Sequence, residues 1–366
     1  MKLGIVGMPN VGKSTLFNAL TKAGALAANY PFATINPNIG VVPVPDERLA
    51  VLSKLYESDK ITPAYVEFVD IAGLVRGASK GEGKGNAFLS HIREVDAIVQ
   101  VVRCFDDNDI IHVEGNVDPA RDIETINLEL ILADIQTIEK RLEKAQKSAK
   151  ASGDKKLKEE SEILQNLLNH LSNEKPVRTF QCTVEQKEII NTFFLLTDKP
   201  IIYASNVAET DLGKDLSENK YIKIVREKAT KENAEVVIIS AKVEDEIAQL
   251  DEAEKAEFLQ ALGFKDSGLD RLIKASYKLL GLFSYLTAGK QEVRAWTIPY
   301  GTKAPQAAGK IHSDFEKGFI RAEIVNYNDL IKLGSTNAVK EQGRLRVEGK
   351  EYVMQEGDVV YFRFNV

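Results

Sequence analysis

The sequence predicts an α/β protein: a doubly wound parallel sheet carrying an inserted antiparallel helical hairpin, followed by a compact β-rich module. Three observations predict this. Residues 1–110 alternate short apolar runs with glycine loops and helical patterns, and apolar residues then recur at helical spacing from about Asp122 to Leu171. Beyond Leu282 the texture changes to short strands and turns.

In order, KLGIVG (2–7) reads as a buried strand, a helix runs from Gly12 to about Ala23, and YVEFVDI (65–71) and AIVQVVR (97–103) read as further strands of a sheet covered on both faces. Leu128, Ile131, Leu132, Ile135, Ile138 and Leu142 form one amphipathic run, and Leu157, Ile163, Leu164, Leu167, Leu168 and Leu171 form another. Ala151-Ser152-Gly153-Asp154 separates them, so residues 125–175 are expected to form a hairpin with arms of about 35 Å at 1.5 Å per residue. The sheet pattern resumes with KPIIYASN (199–206) and AEVVIIS (234–240), which makes the hairpin an insertion within a first domain spanning 1–257. A helical stretch continues to about Leu282. A second domain, 281–364, contains EVRAWTIPYG, GFIRAEIV, RLRVEG and DVVYFRF as strands.

The 366 residues are 44% hydrophobic and 28% charged, the composition of an ordinary globular chain long enough for two cores. A formal net charge of −6 argues against wholesale electrostatic binding of nucleic acid or membrane, and no DNA partner is predicted. Locally the sign reverses: residues 140–158 carry eight Lys or Arg (Lys140, Arg141, Lys144, Lys147, Lys150, Lys155, Lys156, Lys158) against Glu143 and Asp154. Such a tip reads either as a solvated helical face or as a contact for RNA phosphates. Cys104 and Cys182 are isolated, so neither a disulfide framework nor a zinc site is expected, and a reducing cytoplasm fits. No apolar run reaches the length of a membrane span, and MKLGIVGMPN lacks the apolar core of a signal peptide.

Gly7-Met8-Pro9-Asn10-Val11-Gly12-Lys13-Ser14 matches the Walker A pattern and stands between a strand and a helix, the context that pattern requires. Backbone N–H groups of such a loop close around a β-phosphate, Lys13 places a cation between β- and γ-phosphates, and the Ser14 hydroxyl ligates Mg²⁺. Thr15 falls at the α-phosphate. Asp70-Ile71-Ala72-Gly73 ends the next strand: Asp70 is expected to hold Mg²⁺ through water and Gly73 to sense the γ-phosphate. Thr34, in PFATINPN, is the candidate second hydroxyl on the metal. The glycines at 73, 77, 81, 83 and 85 predict a mobile second switch.

One catalytic part is missing. Leu74 stands where Ras-like enzymes place the Gln that orients water, so slow intrinsic turnover is expected. Two substitutes are available: Asn10, which resembles the Asn of potassium-stimulated relatives whose K⁺ stands in for an arginine finger, and His112, in a loop at the carboxyl end of a strand. His91, on a helical pattern, is a weaker candidate.

Base recognition falls on Asn206, Val207 and Glu209, where a GTP-binding protein carries Asn-Lys-x-Asp, with Ser240 and Ala241 on a second loop. Guanine is selected by an aspartate accepting from N1–H and the 2-amino group, with the lysine packed over the base. Here glutamate is longer by one methylene and valine replaces lysine, a loss expected to cost several kcal/mol of guanine selectivity. Asn206 and the backbone around Val207 could instead serve adenine. A damaged guanine site is the alternative.

GMPNVGKSTLFNALTKA, NYPFATINPNIGVVPVPDERL, DIAGLVRGASKGEGKGNAFLSHIREVDAIVQVVRCF, NVAE and AWTIPYGTKAPQAAGKIHSDFEKGFIRAEIV resemble the Obg-like ATPase (YchF) family across nearly the whole chain. The resemblance implies an Obg-type P-loop domain with an inserted coiled coil and a β-grasp TGS domain associated with RNA or ribosome binding. It also implies ATP hydrolysis and association with ribosomes, on the 50S subunit or the 70S particle. Lys84, where relatives tend to carry an apolar residue, is a small departure. Two other readings stay open: a GTPase with relaxed base specificity, and a nucleotide-gated adaptor with incidental hydrolysis.

Overall fold

The computed structural model describes residues 1–25, 38–72, 84–107, 109–110, 112–152 and 154–365. They divide into two compact units, Met1–Val41 with Glu67–Ser276, and Val42–Val66 with Tyr277–Val366. The sequence predicts a simple amino-to-carboxyl succession of domains. The structure differs, because residues 42–66 belong to the second unit.

Among the described residues, seven strands precede the carboxyl-terminal module: β1 (Lys2–Gly7), β2 (Ile39–Pro43), β3 (Ile61–Thr62), β4 (Tyr65–Asp70), β5 (Ala97–Arg103), β6 (Ile201–Asn206) and β7 (Glu235–Ile239). All but β3 form one sheet in the order β2-β4-β1-β5-β6-β7, with β4, β1, β5, β6 and β7 parallel. The chain starts near the middle and reverses direction across β1, so the carboxyl ends of β1, β4, β5 and β6 border one crevice, the ligand position of open parallel sheets. Strands β5 and β6 are buried at every residue, as a sheet covered on both faces requires. The helices of this unit include α1 (Lys13–Ala25), α3 (Lys84–Glu94), α7 (Lys220–Glu232) and α8 (Ala241–Ile247), while α2 (Glu47–Tyr56) belongs to the second unit.

The hairpin is α4 (Pro119–Ser152) and α5 (Lys155–Ser172), with Asp154 capping α5 by accepting from the Lys156 N–H at 2.8 Å. At 34 residues α4 extends about 51 Å, longer than the expected arm, because its first turns lie against β5 rather than against α5. Ile131, Ile138, Leu142 and Ala145 pack against Ile163, Leu164, Leu167 and Leu171. Leu128 and Leu132, which the periodicity places in the core, are instead exposed. A helix α6 (Val184–Asn191) follows.

Two buried polar clusters tie the hairpin base to the sheet domain. Asp134 accepts from the N–H groups of Leu196 and Thr197 and from the Thr197 hydroxyl, at 2.7–2.8 Å. Glu232 of α7 accepts from Arg178 Nε at 2.8 Å, Tyr203 Oη at 2.8 Å and Asn127 Nδ2 at 3.2 Å, while Arg178 Nη2 donates to Asn127 Oδ1 at 2.7 Å. Each polar group finds a partner, the condition under which buried charge persists.

The second unit is a mixed sheet in the order β11-β10-β12-β8-β9-β3, adding β8 (Leu282–Ala288), β9 (Val293–Pro299), β10 (Phe319–Asn326), β11 (Arg346–Glu348) and β12 (Asp358–Phe364). The helix Ala304–Ile311 packs against one face, with Ala304, Ala307 and Ala308 against Phe283, Tyr285, Ile298 and Phe362. The apolar run of β8 begins at Leu282, where the stretch read as helical ends, and is not among the strands that the sequence reading names. Its sheet partners are what make it a strand. Residues 42–66 contribute β3, paired with β9, and α2, packed on β8 and β9. Trp296 and Phe315 are both half-buried against this core.

The thiols differ in burial. Cys104 is buried, which pushes its pKa up to about 12, whereas Cys182 is only half-buried. In native buffer near neutral pH a thiol reagent is expected to titrate Cys182 alone, and both thiols in denaturant. Rapid modification of Cys104 in the folded protein would show this packing to be wrong.

Candidate functional site

The turn after β1 takes Asn10 to φ 63° and Gly12 to φ 94°, and α1 opens at Lys13. Asn is among the few residues that adopt the left-handed conformation at low cost. The first helical hydrogen bond runs from the Leu16 N–H to the Gly12 carbonyl, so the amides of Lys13, Ser14 and Thr15 precede the bonded ladder. Together with the helix dipole they make an end of the kind that binds anions. The Lys13 ammonium forms an ion pair with Asp70 Oδ1. The two side chains assigned to phosphate and to metal are thus brought together, each largely shielded from solvent.

Magnesium fits this donor set in a specific sense. Asp70 offers a carboxylate and Ser14 an exposed hydroxyl, both hard oxygen donors. Among the described residues no cluster of three or more His, Cys, Asp or Glu could hold a metal. A site of one carboxylate and one hydroxyl suits an ion shared with substrate phosphates. Thr34 and Gly73, the other switch candidates, lie outside the described residues, as does Leu74.

Asn206 connects three segments. Its Nδ2 donates to the Val11 carbonyl at 2.9 Å, and its Oδ1 accepts from the Ala241 N–H at 2.9 Å. The side chain therefore locks the phosphate loop to both base-facing loops, and only one N–H and one lone pair are left over for a base. Val207 is buried, and its N–H donates to the Ile239 carbonyl at 2.8 Å, so that amide does not serve adenine as the sequence reading suggests. Ser240 and Ala241 are buried at the start of α8. Glu209 is exposed and accepts from Lys242 Nζ at 2.8 Å, a pairing that the spacing of these loops in the sequence does not reveal. The Glu209 hydrogen bond and charge hold the Lys242 pKa above its ordinary value.

His112 is buried. The Glu114 N–H donates to Nδ1 at 3.1 Å, which assigns the ring proton to Nε2, 2.9 Å from Asp122 Oδ2. Both nitrogens are engaged, so acting on a water would require the ring to leave Asp122. His91 is exposed on α3. Arg103 has no part in the sequence reading, yet it is fully buried and donates to the carbonyls of Phe105, Asp107 and Ile110 at 2.9–3.2 Å. It shapes the loop that leads to His112. The available signal is a charge ending an otherwise apolar strand, AIVQVVR.

This geometry, a nucleotide-triphosphate cradle on a doubly wound sheet with an inserted hairpin, has close counterparts. A family profile described as 50S ribosome-binding GTPase matches residues 2–138, and YchF-GTPase_C, described as a protein of unknown function, matches residues 282–365. The chain is 58% identical over 363 residues to the ribosome-binding ATPase YchF of Bacillus subtilis (strain 168), covering 99% of each chain. The chain belongs to the YchF family. Obg-like ATPase 1 of Rattus norvegicus is 46% identical over 369 residues, covering 100% of this chain and 92% of the rat protein. The solved structure of the Schizosaccharomyces pombe YchF GTPase superposes with a TM-score of 0.89 at 44% identity, covering 99% of this chain and 97% of that one. The YchF fold thus extends over both units and the hairpin.

Proposed function

We propose that this YchF-family chain is an ATP hydrolase that prefers ATP to GTP and works as a nucleotide-dependent switch on the ribosome. The base loop carries the reading. The residue in the guanine-reading position, Glu209, is held by Lys242, and the residue in the base-packing lysine position is the buried Val207. Val207 supplies no stacking cation, and Glu209 offers an acceptor one methylene longer than the aspartate and already paired through Oε2 with Lys242. The names of the relatives, ribosome-binding ATPase and Obg-like ATPase, support it.

In this reading the α1 amides and Lys13 hold the β- and γ-phosphates, and Ser14 and Asp70 hold Mg²⁺, with Thr34 and Gly73 completing the switch. The metal supplies charge neutralisation on the transferring phosphoryl group. Lys13 does the same from the protein side, and its ion pair with Asp70 keeps it aligned. Asn10 is the candidate ligand for a monovalent cation, K⁺. His112 is a candidate water-positioning group once freed from Asp122. The basic hairpin tip is a candidate RNA contact: Lys140, Lys144, Lys147, Lys150, Lys155, Lys156 and Lys158 are exposed, whereas Arg141 is withdrawn onto the Phe193 ring and the Thr192 carbonyl. Among the described residues no helix is long and apolar enough to cross a membrane, and a cytoplasmic setting is part of the proposal.

Competition of ATP and GTP against a fluorescent nucleotide at physiological Mg²⁺ tests the base reading. A preference for GTP of about tenfold, or ~1.4 kcal/mol, would favour the GTPase with relaxed base specificity; the fission-yeast relative is named a GTPase. Lys13→Ala is expected to lower turnover by about 10²–10³, the usual scale for one electrostatic donor to a transition state. Turnover measured with added 50S subunits and 70S particles, in KCl and NaCl, tests the ribosome and K⁺ parts. Nucleotide-independent ribosome binding that leaves turnover unchanged would instead favour the adaptor.

A further inference from the structure

The enclosure of His112 is built from two elements rather than one. The loop that carries the histidine joins β5 to α4, whereas its partners Arg121 and Asp122 stand in the first turn of α4, a helix packed against β5. At its start the loop is tied by Arg103, which donates to the carbonyls of Phe105, Asp107 and Ile110. The turn after the histidine closes on it: the Gly115 N–H donates to the His112 carbonyl at 2.9 Å, with Gly115 at φ 84°, a conformation that costs glycine little. Asp122 divides its two oxygens. Oδ2 accepts from His112 Nε2 at 2.9 Å, and Oδ1 accepts from Arg121 Nε and Nη2 at 3.4 and 3.2 Å. Arg121 Nη2 also lies 3.3 Å from His112 Nδ1, and the same guanidinium donates to the Asn116 carbonyl at 2.6 Å and to Asn116 Oδ1 at 2.9 Å.

This division of contacts decides what the enclosure can do. While the ring is held, both its nitrogens are spent, and none is left to orient a water in the crevice that the carboxyl end of β5 borders. When the ring departs, Asp122 keeps Arg121 and Arg121 keeps Asn116, so the frame on α4 stays assembled and no charge is stranded. Release therefore costs chiefly one hydrogen bond to a charged acceptor, a factor of about 10 to 100 in population. The histidine is carried by a loop and its holder by a helix, so opening requires the loop alone to move.

We infer that Asp122 and Arg121 form an autoinhibitory clasp that withholds His112 from the nucleotide, so that turnover follows the fraction of molecules in which the ring is free. The inference rests on the reading of His112 as the water-positioning group of an ATP hydrolase. Asp122 is then a positioning residue that acts through His112 and slows the reaction. Two measurements on the full-length protein test it: steady-state ATP turnover, and labelling of histidines by diethylpyrocarbonate read by mass spectrometry. Asp122→Ala is expected to raise kcat by about tenfold or more, with KM for ATP within about twofold of wild type. Asp122→Asn, which keeps the volume and an acceptor, is expected to give a smaller rise, and so is Arg121→Ala. Adding His112→Ala to any of these is expected to return turnover to that of His112→Ala alone. In the wild type His112 is expected to stay unlabelled while the exposed His91 and His312 react, and in Asp122→Ala to react as they do.

A fall in kcat in the Asp122 variants would overturn the clasp and make Asp122 a partner that His112 needs for catalysis. So would a gain that survives His112→Ala, or wild-type labelling of His112 equal to that of His91. Should Asp122→Ala not fold, Asp122→Asn and Arg121→Ala decide by the same criteria, the Arg121 side chain being partly in solvent already at 24% exposure. A protein that hydrolyses no ATP, yet in which Asp122→Ala exposes His112 to the reagent, would count against the hydrolase reading while upholding the hold of Asp122 on the ring.

Discussion

Gly12→Ala is expected to weaken ATP binding by roughly 100-fold, or ~3 kcal/mol. Gly12 holds φ 94°, and a Cβ there would lie 2.3 Å from Asn206 Nδ2 and 3.4 Å from the Ala241 Cβ. Left-handed backbone costs an alanine roughly 1–2 kcal/mol, and the clash adds to it. Asn206 cannot step aside cheaply, because it would give up its bonds to the Val11 carbonyl and the Ala241 N–H, at about 1 kcal/mol each. The phosphate loop must therefore move off the geometry its amides need. Titration with a fluorescent ATP analogue measures the effect. In an Asn206→Ala background the same Gly12→Ala change is expected to cost less, because the obstructing amide is gone. Strict additivity of the two changes would show that Asn206 does not set the loop.

Glu232→Ala is expected to destabilise the first unit by about 3–5 kcal/mol, the scale for stranding one partner of a buried ion pair. The side chains of Arg178 and Glu232 are 7% and 2% exposed, and the deletion leaves Arg178, Tyr203 and Asn127 facing an absent acceptor. Urea unfolding should register the loss, with hydrogen exchange rising first in α4 and α5, whose base the cluster pins. The double change Glu232→Leu with Arg178→Met removes both charges and is expected to recover much of the stability. A single variant within about 1 kcal/mol of wild type would place the anchoring elsewhere, with Asp134 the next candidate.

How much of this was legible beforehand depended on the range of the interaction. β1, α1, β5 and the hairpin with its tip near Gly153 follow from local signals: apolar period, glycine placement, and Asp154 as a capping residue. The interruption of the first domain by residues 42–66 left no such signal, because β3 and α2 owe their positions to β8 and β9 more than 200 residues away. The tip's cations were legible as charge, but the withdrawal of Arg141 onto Phe193 was not, since Phe193 lies on a separate segment.

The site divides in the same way. Sequence alone carried the proposed chemistry: Gly12, Lys13, Ser14 and Asp70 are consecutive or strand-terminal, and their residue types in that strand–loop–helix context point to phosphate and magnesium. It also showed Val207 and Glu209 where a GTP-binding protein carries Lys and Asp. Only the tertiary structure decided how those residues are spent. Asn206 serves as a tie among three loops, Glu209 is paired with Lys242, and His112 is enclosed by Asp122 and the Glu114 amide. The physical reason is that residue type fixes which bonds a side chain can make. Packing between segments distant in sequence fixes which of those bonds are already taken.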